Sequence, residues 1–340
     1  MNYCLFRLRF KTAVHFGGDS GMSPLSTCEY AAHADTMFSA LCHEAMQTGG
    51  IESVNKLCSM AEEGKLLISD ALPFRESDKD KKEELFLPRP LMPAAIPKNG
   101  FGAPKAGDDI KNKKVLKKLK YIPVSGFSEY LKYLKGEIEN FDPGEDALSE
   151  FGVFETRIMA SVSGMEETLP FHVAVFHFHR GCGLYLIVAF EQEEQAAFVK
   201  KLLTSMSFSG VGGKRTAGLG KFELDDEVYL DSPYTDAQEI IAEMLLDTQA
   251  MWQMAISAGL PRPGELKEAT ESGWYGLLRR GGFVQSRFYS DTPQKRKAMY
   301  FMPAGSCFKK RFEGGIFDVS AGGRHPVYRY GKPLFVGVRL

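Results

Sequence analysis

The stretch Gly210-Val211-Gly212-Gly213-Lys214-Arg215-Thr216-Ala217-Gly218-Leu219-Gly220 sets five glycines in eleven residues around two cations and a hydroxyl. Glycine loses more backbone freedom on folding than any other residue, so ordering this segment is costly and its bare backbone must be needed. Before it, Ala197, Phe198, Lys201, Leu202 and Met206 recur at helical spacing across residues 191–206; after it, residues 221–224 read as a strand. The order helix, glycine loop, strand excludes the P-loop and the dinucleotide-binding turn, which both run from a strand into a helix whose N-terminus holds the phosphate. The letters exclude them too. Arg215 stands where a P-loop needs Ser or Thr, Phe208 stands where it needs glycine, and G-x-G-x-x-G begun at Gly210 ends on Arg215. What remains is a backbone whose N–H groups form an anion nest beside Lys214, Arg215 and Thr216, and a phosphodiester suits it. A long connection without a ligand is the competing reading.

Working outward, Cys4, Phe6, Leu8 and Phe10 alternate with Leu5, Arg7, Arg9 and Lys11, which predicts a strand with one apolar and one largely basic face. A basic face suits phosphate or plain solvent equally. His15 opens a glycine and serine segment, and Asp35-Thr36 opens a helix with Phe38, Leu41, Cys42 and Ala45 on one side. His33 then sits just ahead of the helix N-terminus, placed to donate to a phosphate together with the free backbone N–H groups there.

Between residues 73 and about 144 the composition shifts, with prolines at 73, 88, 90, 93, 97, 104, 123 and 143 and six lysines among residues 111–120. This predicts an insertion that projects from the core, its lysine cluster either solvated or in contact with nucleic acid. Strand patterns return at residues 171–179 and 184–190, joined by the turn Arg180-Gly181-Cys182-Gly183. Strand, helix, insertion, strand, strand, helix, glycine loop, strand is the β-α-β-β-α-β order of a ferredoxin-like lobe. A helix at 236–247, a short one at 265–270 and strands at 274–278, 282–289, 297–302 and 334–339 predict a second lobe of the same type. The division is then 1–230, carrying the insertion at about 73–150, and 231–340.

The 340 residues suit about two domains, and 44% hydrophobic content supports well-developed cores. With 42 basic and 43 acidic residues, the net charge of -1 makes any nucleic-acid surface local. Six scattered cysteines without C-x-x-C, and no secretory apolar stretch, predict reduced thiols in a cytoplasm. No run reaches the roughly 18 apolar residues of a membrane span.

Four segments together resemble a known family: His33-Ala34-Asp35-Thr36-Met37-Phe38-Ser39-Ala40-Leu41, the glycine loop with Lys221-Phe222-Glu223-Leu224, Arg280-Gly281-Gly282-Phe283-Val284, and His325-Pro326-Val327-Tyr328-Arg329-Tyr330-Gly331-Lys332-Pro333. In this order they resemble the fourth Csm subunit of type III-A CRISPR effector complexes, of the repeat-associated mysterious protein (RAMP) superfamily and its Cas-five-like group. The likeness covers both ends and the middle, and little of the insertion. It implies an α+β fold of two ferredoxin-like (RRM-like) lobes, with the insertion as a thumb. It implies a subunit that caps the complex, holds the 5′ repeat-derived handle of the crRNA, and joins the large polymerase/cyclase-domain subunit to the backbone RAMP subunits. It also implies a subunit without catalysis or cofactor, and not a homo-oligomer. The RNA-contacting residues so implied are His15, His33, Asp35, Thr36, Gly210, Gly212, Gly213, Lys214, Arg215, Thr216, Gly218, Gly220, Arg280, Arg324, His325, Tyr328 and Arg329.

The chemical rivals are fewer. Some RAMP relatives cut RNA without metal, using a histidine to activate a 2′-hydroxyl, so His15 or His33 would serve a guide-processing endoribonuclease; the sequence shows no partner acid. His172 faces away from His177 and His179 on a strand, which leaves two ligands where zinc needs three or four. Asp108-Asp109 and Asp225-Asp226 are neighbours that diverge in extended chain and make no two-metal site. Residues 280–286 lack the aromatic positions of an RNP1 strand, so stacking on an open sheet is not supported.

Overall fold

In the computed structural model, residues 1–18, 25–76, 82–95, 116, 119–142, 151–160, 170–286 and 288–339 are described. The chain begins with β1 (Asn2–Phe10), the short pair β2 (Phe16–Gly17) and β3 (Cys28–Glu29), and the long helix α1 (Ala34–Glu62). Strands β4 (Leu66–Ile68), β5 (Leu72–Glu76), β6 (Glu83–Pro88) and β7 (Tyr121–Pro123) follow, and β7 runs directly into α2 (Val124–Lys135). Next come β8 (Gly152–Ala160), β9 (Pro170–Phe178), β10 (Cys182–Phe190), α3 (Glu193–Ser209), a 3₁₀ turn (Arg215–Ala217), β11 (Phe222–Leu224) and β12 (Val228–Tyr229). The last part holds α4 (Asp236–Leu246), β13 (Trp252–Ala255), α5 (Leu266–Glu271), β14 (Leu278–Arg280), β15 (Met299–Phe301), β16 (Cys307–Phe308), β17 (Ile316–Asp318), β18 (Tyr328–Tyr330) and β19 (Phe335–Val338).

The main sheet runs β11-β1-β10-β5-β6-β7, with β12 also pairing β1 and β4 also pairing β10. Its pairings are antiparallel. All nine residues of β10 are buried, because both faces of this central strand are covered. Leu184, Leu186 and Val188 enter a core with Phe38 and Leu41 of α1 and Val199 and Leu202 of α3. Tyr185, Ile187 and Ala189 enter a second core with Phe127 of α2, Ile241 of α4, and Met254 and Val336. The C-terminal sheet β16-β13-β19 therefore packs on the face of the main sheet opposite α1 and α3.

Four expectations change here. The second strand of the anticipated order is supplied by β4 and β5, which take the β10 edge; residues 170–178 pair instead with β8 in a separate hairpin. The stretch from residue 73 does not simply project, since Leu85, Leu87, Ile122 and Phe127 are core residues and β6 and β7 extend the sheet. Most of the lysine cluster at 111–120 lies outside the described residues. The basic face of β1 is matched by carboxylates: Arg7 pairs with Glu83 at 2.6 Å, Arg9 with Asp225 at 2.8 Å and Glu76 at 2.7 Å, and the exposed Lys11 with Glu223 at 2.7 Å. Lastly, in the C-terminal part the described residues form one three-stranded sheet and the hairpins β14–β15 and β17–β18. Residues 282–289, anticipated as a strand, contribute only a bridge from Phe283 to Lys295, because Gly281 and Gly282 turn the chain around Arg296.

Candidate nucleic-acid interface

The glycine loop divides into a closed neck and an open tip. At the neck, Gly210 ends α3 by donating its N–H to Met206 O at 2.7 Å, and Val211 donates to Gly220 O at 3.0 Å. A Cβ on Gly220 would stand 2.0 Å from Val211 O, so the two strands of the neck meet only because that atom is missing. Gly213 donates to His15 O at 2.8 Å and its face lies on the His15 ring, where a Cβ would come within 2.6 Å of Cδ2. Gly210, Gly212, Gly213 and Gly220 thus use their bare backbone for protein packing. His15 is the support beneath them: it is buried, with Nδ1 at 2.6 Å from Ala174 O. The tip differs. Lys214 has φ 57° and Gly218 φ 84°, Thr216 and Ala217 are exposed, and the amides of Lys214, Arg215 and Thr216 have no acceptor among the described residues. Left-handed residues flanking a short turn aim successive N–H groups together, the geometry of an anion nest.

The loop cations are anchored. The Lys214 ammonium lies 4.4 Å above the Phe171 ring. Arg215 reaches Gly210 O at 3.4 Å and Glu44 at 3.6 Å. Glu44, on α1, is wholly buried and accepts from Ser205 Oγ at 2.7 Å and Ser209 Oγ at 2.5 Å, which ties α1, α3 and the loop together.

A second group gathers at the start of α1. Asp35 receives Arg280 through Nε at 3.1 Å and Nη2 at 2.9 Å, and it also pairs with Arg329 Nη1. Arg280 Nη2 donates to Thr36 Oγ1 at 2.9 Å, and Arg329 Nη2 to Gly281 O at 3.1 Å. Burial opposes charge on Asp35, yet Arg280 and Arg329 hold its carboxyl well below the usual range. So Asp35, Thr36, Arg280 and Arg329 do come together, as a junction between α1 and the C-terminal hairpins; Asp35 is the counter-ion of that junction, and the Arg329 side chain is 1% exposed. The helix start is partly capped from outside the helix. Asp70 accepts from Ala34 N at 2.7 Å and holds the His33 ring at 2.8 Å through Nδ1.

Two residues that the sequence reading missed join these groups. Arg296 donates Nε to Gly281 O at 3.1 Å and has no carboxylate within ion-pair reach among the described residues. Burial, then the nearby Arg329 and Arg280, push it down to about 10, against the pull of Asp35. His43 is held below its ordinary value by burial, Arg215, Arg296 and His325, with Glu44 opposing. Its place was legible, since His43 follows Thr36 by seven residues and shares its helix face. Across the seam, Arg215 pairs with Glu44, Arg280 and Arg329 pair with Asp35, and Arg296 lies beside the last two. The rim holds Arg324, paired with Asp291 at 2.5 Å; His325, with Nε2 at 2.7 Å from Ser286 Oγ; and Tyr328, 37% exposed.

A family described as the CRISPR Csm4 C-terminal domain matches residues 248–338. A curated Csm4 protein from Mycobacterium tuberculosis is 30% identical over 346 residues, covering 99% of this chain and 98% of its own. One from Streptococcus thermophilus is 28% identical over 352 residues, covering 98% of each. Among solved structures, the fold is similar to a chain of the Csm3-Csm4 subcomplex in the type III-A CRISPR-Cas interference complex, with TM-score 0.59, 16% identity and 100% of both chains covered. It is also similar to a chain of a Csm1-Csm4 cassette in complex with AMPPNP, at TM-score 0.56 and 18% identity, covering 100% of this chain and 99% of the other. The mixed helix and sheet fold with antiparallel sheets is shared end to end with these chains, and the full-length likeness to the curated relatives marks a protein of the CRISPR systems. Within that class, the chain belongs to the Csm4 family. No helix among its described residues is long and apolar enough to cross a membrane.

Proposed function

We propose that the chain is a non-catalytic RNA-binding subunit of a type III-A (Csm) effector complex, working in the cytoplasm in antiviral defence. It caps the complex, holds the 5′ repeat-derived crRNA handle along the seam between the loop tip, α1 and the β14 and β18 arginines, and connects the large polymerase/cyclase-domain subunit to the backbone RAMP subunits. One observation carries the RNA reading: Arg296, desolvated beside Arg280 and Arg329, has no carboxylate within ion-pair reach among the described residues. A desolvated, uncompensated cation is costly until an anion completes it, and guanidinium geometry matches phosphate oxygens. The full-length likeness to Csm4 proteins, and to chains from Csm3-Csm4 and Csm1-Csm4 assemblies, supports the bridging role. The strand order β11-β1-β10-β5, with α1 and α3 on one face, supports a ferredoxin-like RAMP lobe over residues 1–230. The test is a complex reconstituted with guide RNA. Replacing Lys214 and Arg296 by alanine should release the handle at moderate salt while partner subunits still co-purify, and full retention would contradict the assignment.

A second reading, a metal-independent crRNA-processing endoribonuclease, has the His33 ring and its buried partner Asp70 in its favour, the orientation a general base needs. Purified protein and repeat RNA in chelator separate the two. Site-specific cutting that vanishes in His33→Ala establishes the enzyme, and intact RNA supports the binding subunit.

A further inference from the structure

Helix α1 is not one rod. It breaks at Gly49 and Gly50, where Gly50 takes φ 65° and ψ -160°. The hairpin β17–β18 shows how far the two halves fold back. Ile316 and Tyr330 are register partners in it; Tyr330 stacks on Phe38 at 4.8 Å, while Ile316 donates its N–H to Glu62 Oε2 at 2.9 Å. A straight helix would hold Phe38 and Glu62 about 36 Å apart at 1.5 Å per residue, beyond the reach of one residue pair. The halves must double back at the glycines.

Cys42 and Cys58 stand at nearly equal distances on either side of that turn. The doubling back sets them on facing sides of the turn against the same core, close enough for the two thiols to influence each other. Both are free, partly exposed, and packed at the rim of the same core. Tyr328 of β18 lies beside the pair.

We propose that Cys42 and Cys58 are a redox modification site, a thiol pair that a hydroperoxide closes to a disulfide across the α1 turn and a dithiol reductant reopens. The Cys58 thiolate attacks the peroxide oxygen; the O–O bond breaks, an S–O bond forms and the departing hydroxide takes a proton as water. The Cys42 sulfur then attacks the Cys58 sulfenic acid, the S–S bond forms, the S–O bond breaks, and a second water leaves with the Cys42 proton. The pair loses two electrons and the peroxide gains them. Cys58 is the attacking group, since its thiol is held below the ordinary value by the neighbouring Cys42 while that of Cys42 is held above it. The other thiols are poor competitors: burial pushes Cys28 up to about 11 and Cys307 up to about 12, raises Cys4 further, and encloses Cys182. The bridge would fix the first half of α1, which carries Asp35 and Glu44, to the second half, whose end holds Lys332 and Arg262.

The full-length chain is treated with hydrogen peroxide, denatured, and its thiols counted and peptides mapped. The reduced protein titrates all six thiols; the oxidised protein should titrate two fewer, with one linked peptide joining Cys42 to Cys58 and full recovery after dithiothreitol. In Cys42→Ser the intermediate has no resolving partner, so Cys58 should instead take a dimedone label. A bridge to Cys28, dimers linked between chains, or six thiols surviving where free cysteine is consumed would each overturn the proposal. The linked peptide in unaltered protein decides the matter even where a serine variant fails to fold.

Discussion

Arg280 and Asp35, 245 positions apart, form a two-pronged ion pair at 2.9 and 3.1 Å, with side chains 10% and 4% exposed. Because Asp35 also takes Arg329, one carboxylate on the first turn of α1 fixes both C-terminal hairpins to the N-terminal sheet.

Removing that carboxylate leaves two guanidiniums facing each other in a desolvated junction. Asp35→Asn should cost about 3–5 kcal/mol, the usual penalty for breaking a buried pair from one side. The folded Asp35 sits below its ordinary value of 3.8, so its contribution is fully present above that pH and is lost as pH falls from there through the folded value. Urea unfolding at pH 7 and near pH 3 should show a wide gap between wild type and variant that narrows in acid. A gap independent of pH would mean that Asp35 acts by packing alone.

The neck and tip of the glycine loop make opposite demands on alanine. At Gly220 an added methyl meets Val211 O at 2.0 Å, whereas at Gly218 it meets nothing within 4 Å and only the left-handed φ of 84° resists it. Gly218→Ala should cost about 1–2 kcal/mol and keep RNA binding. Gly220→Ala should cost distinctly more and open the neck, weakening RNA retention as well. Equal thermal unfolding of the two variants would refute the division.

Period and order made the N-terminal lobe legible: the apolar alternation of β1, the helix after His33, and the run from α3 through the glycine loop to β11 are all local patterns. Pairing was not. Leu72-Pro73-Phe74-Arg75-Glu76 carries a proline and lies in charged surroundings, yet it takes the β10 edge, because what selects it is contact with Leu184 and Tyr185 more than a hundred residues away. The candidate site was visible in the same partial way. Arginines 280 and 329 stood out as cations, but nothing local shows that Asp35 would claim them. Arg296 lay in no recognisable motif, and its importance arises only from having two other guanidiniums as neighbours.

The three cations nearest the proposed RNA path should separate in mutagenesis. Arg215 neutralises the buried Glu44, so Arg215→Ala leaves that carboxylate with serine hydroxyls alone and should lose about 1–3 kcal/mol of stability. Lys214 covers only an aromatic ring and should cost less than that. Arg296 is repelled by Arg329 and Arg280, so Arg296→Ala should leave the fold as stable as before or more so. Its loss should still flatten the salt dependence of binding to single-stranded handle RNA, by about 0.7 in the log-log slope for each phosphate contact removed. A destabilised Arg296→Ala with an unchanged slope would assign that residue to the core and not to RNA.

His43 supplies the pH dependence. Burial, Arg215, Arg296 and His325 hold it below 6.5, so near pH 6 the folded chain binds fewer protons than the unfolded one. Stability then rises with pH through this window, reaches its full value above 6.5, and falls in more acid solution. A phosphate lying in the seam reverses the sign of the local field and raises His43, so RNA binding takes up a proton and tightens as pH falls from about 7.5 to about 5.5. Each pKa unit gained on binding contributes up to about tenfold in affinity. Handle RNA titrations at constant salt should show this slope in the wild type and a shallower one in His43→Gln, the difference isolating His43 from His33 and His325. Identical slopes in the two proteins would place the phosphate away from α1.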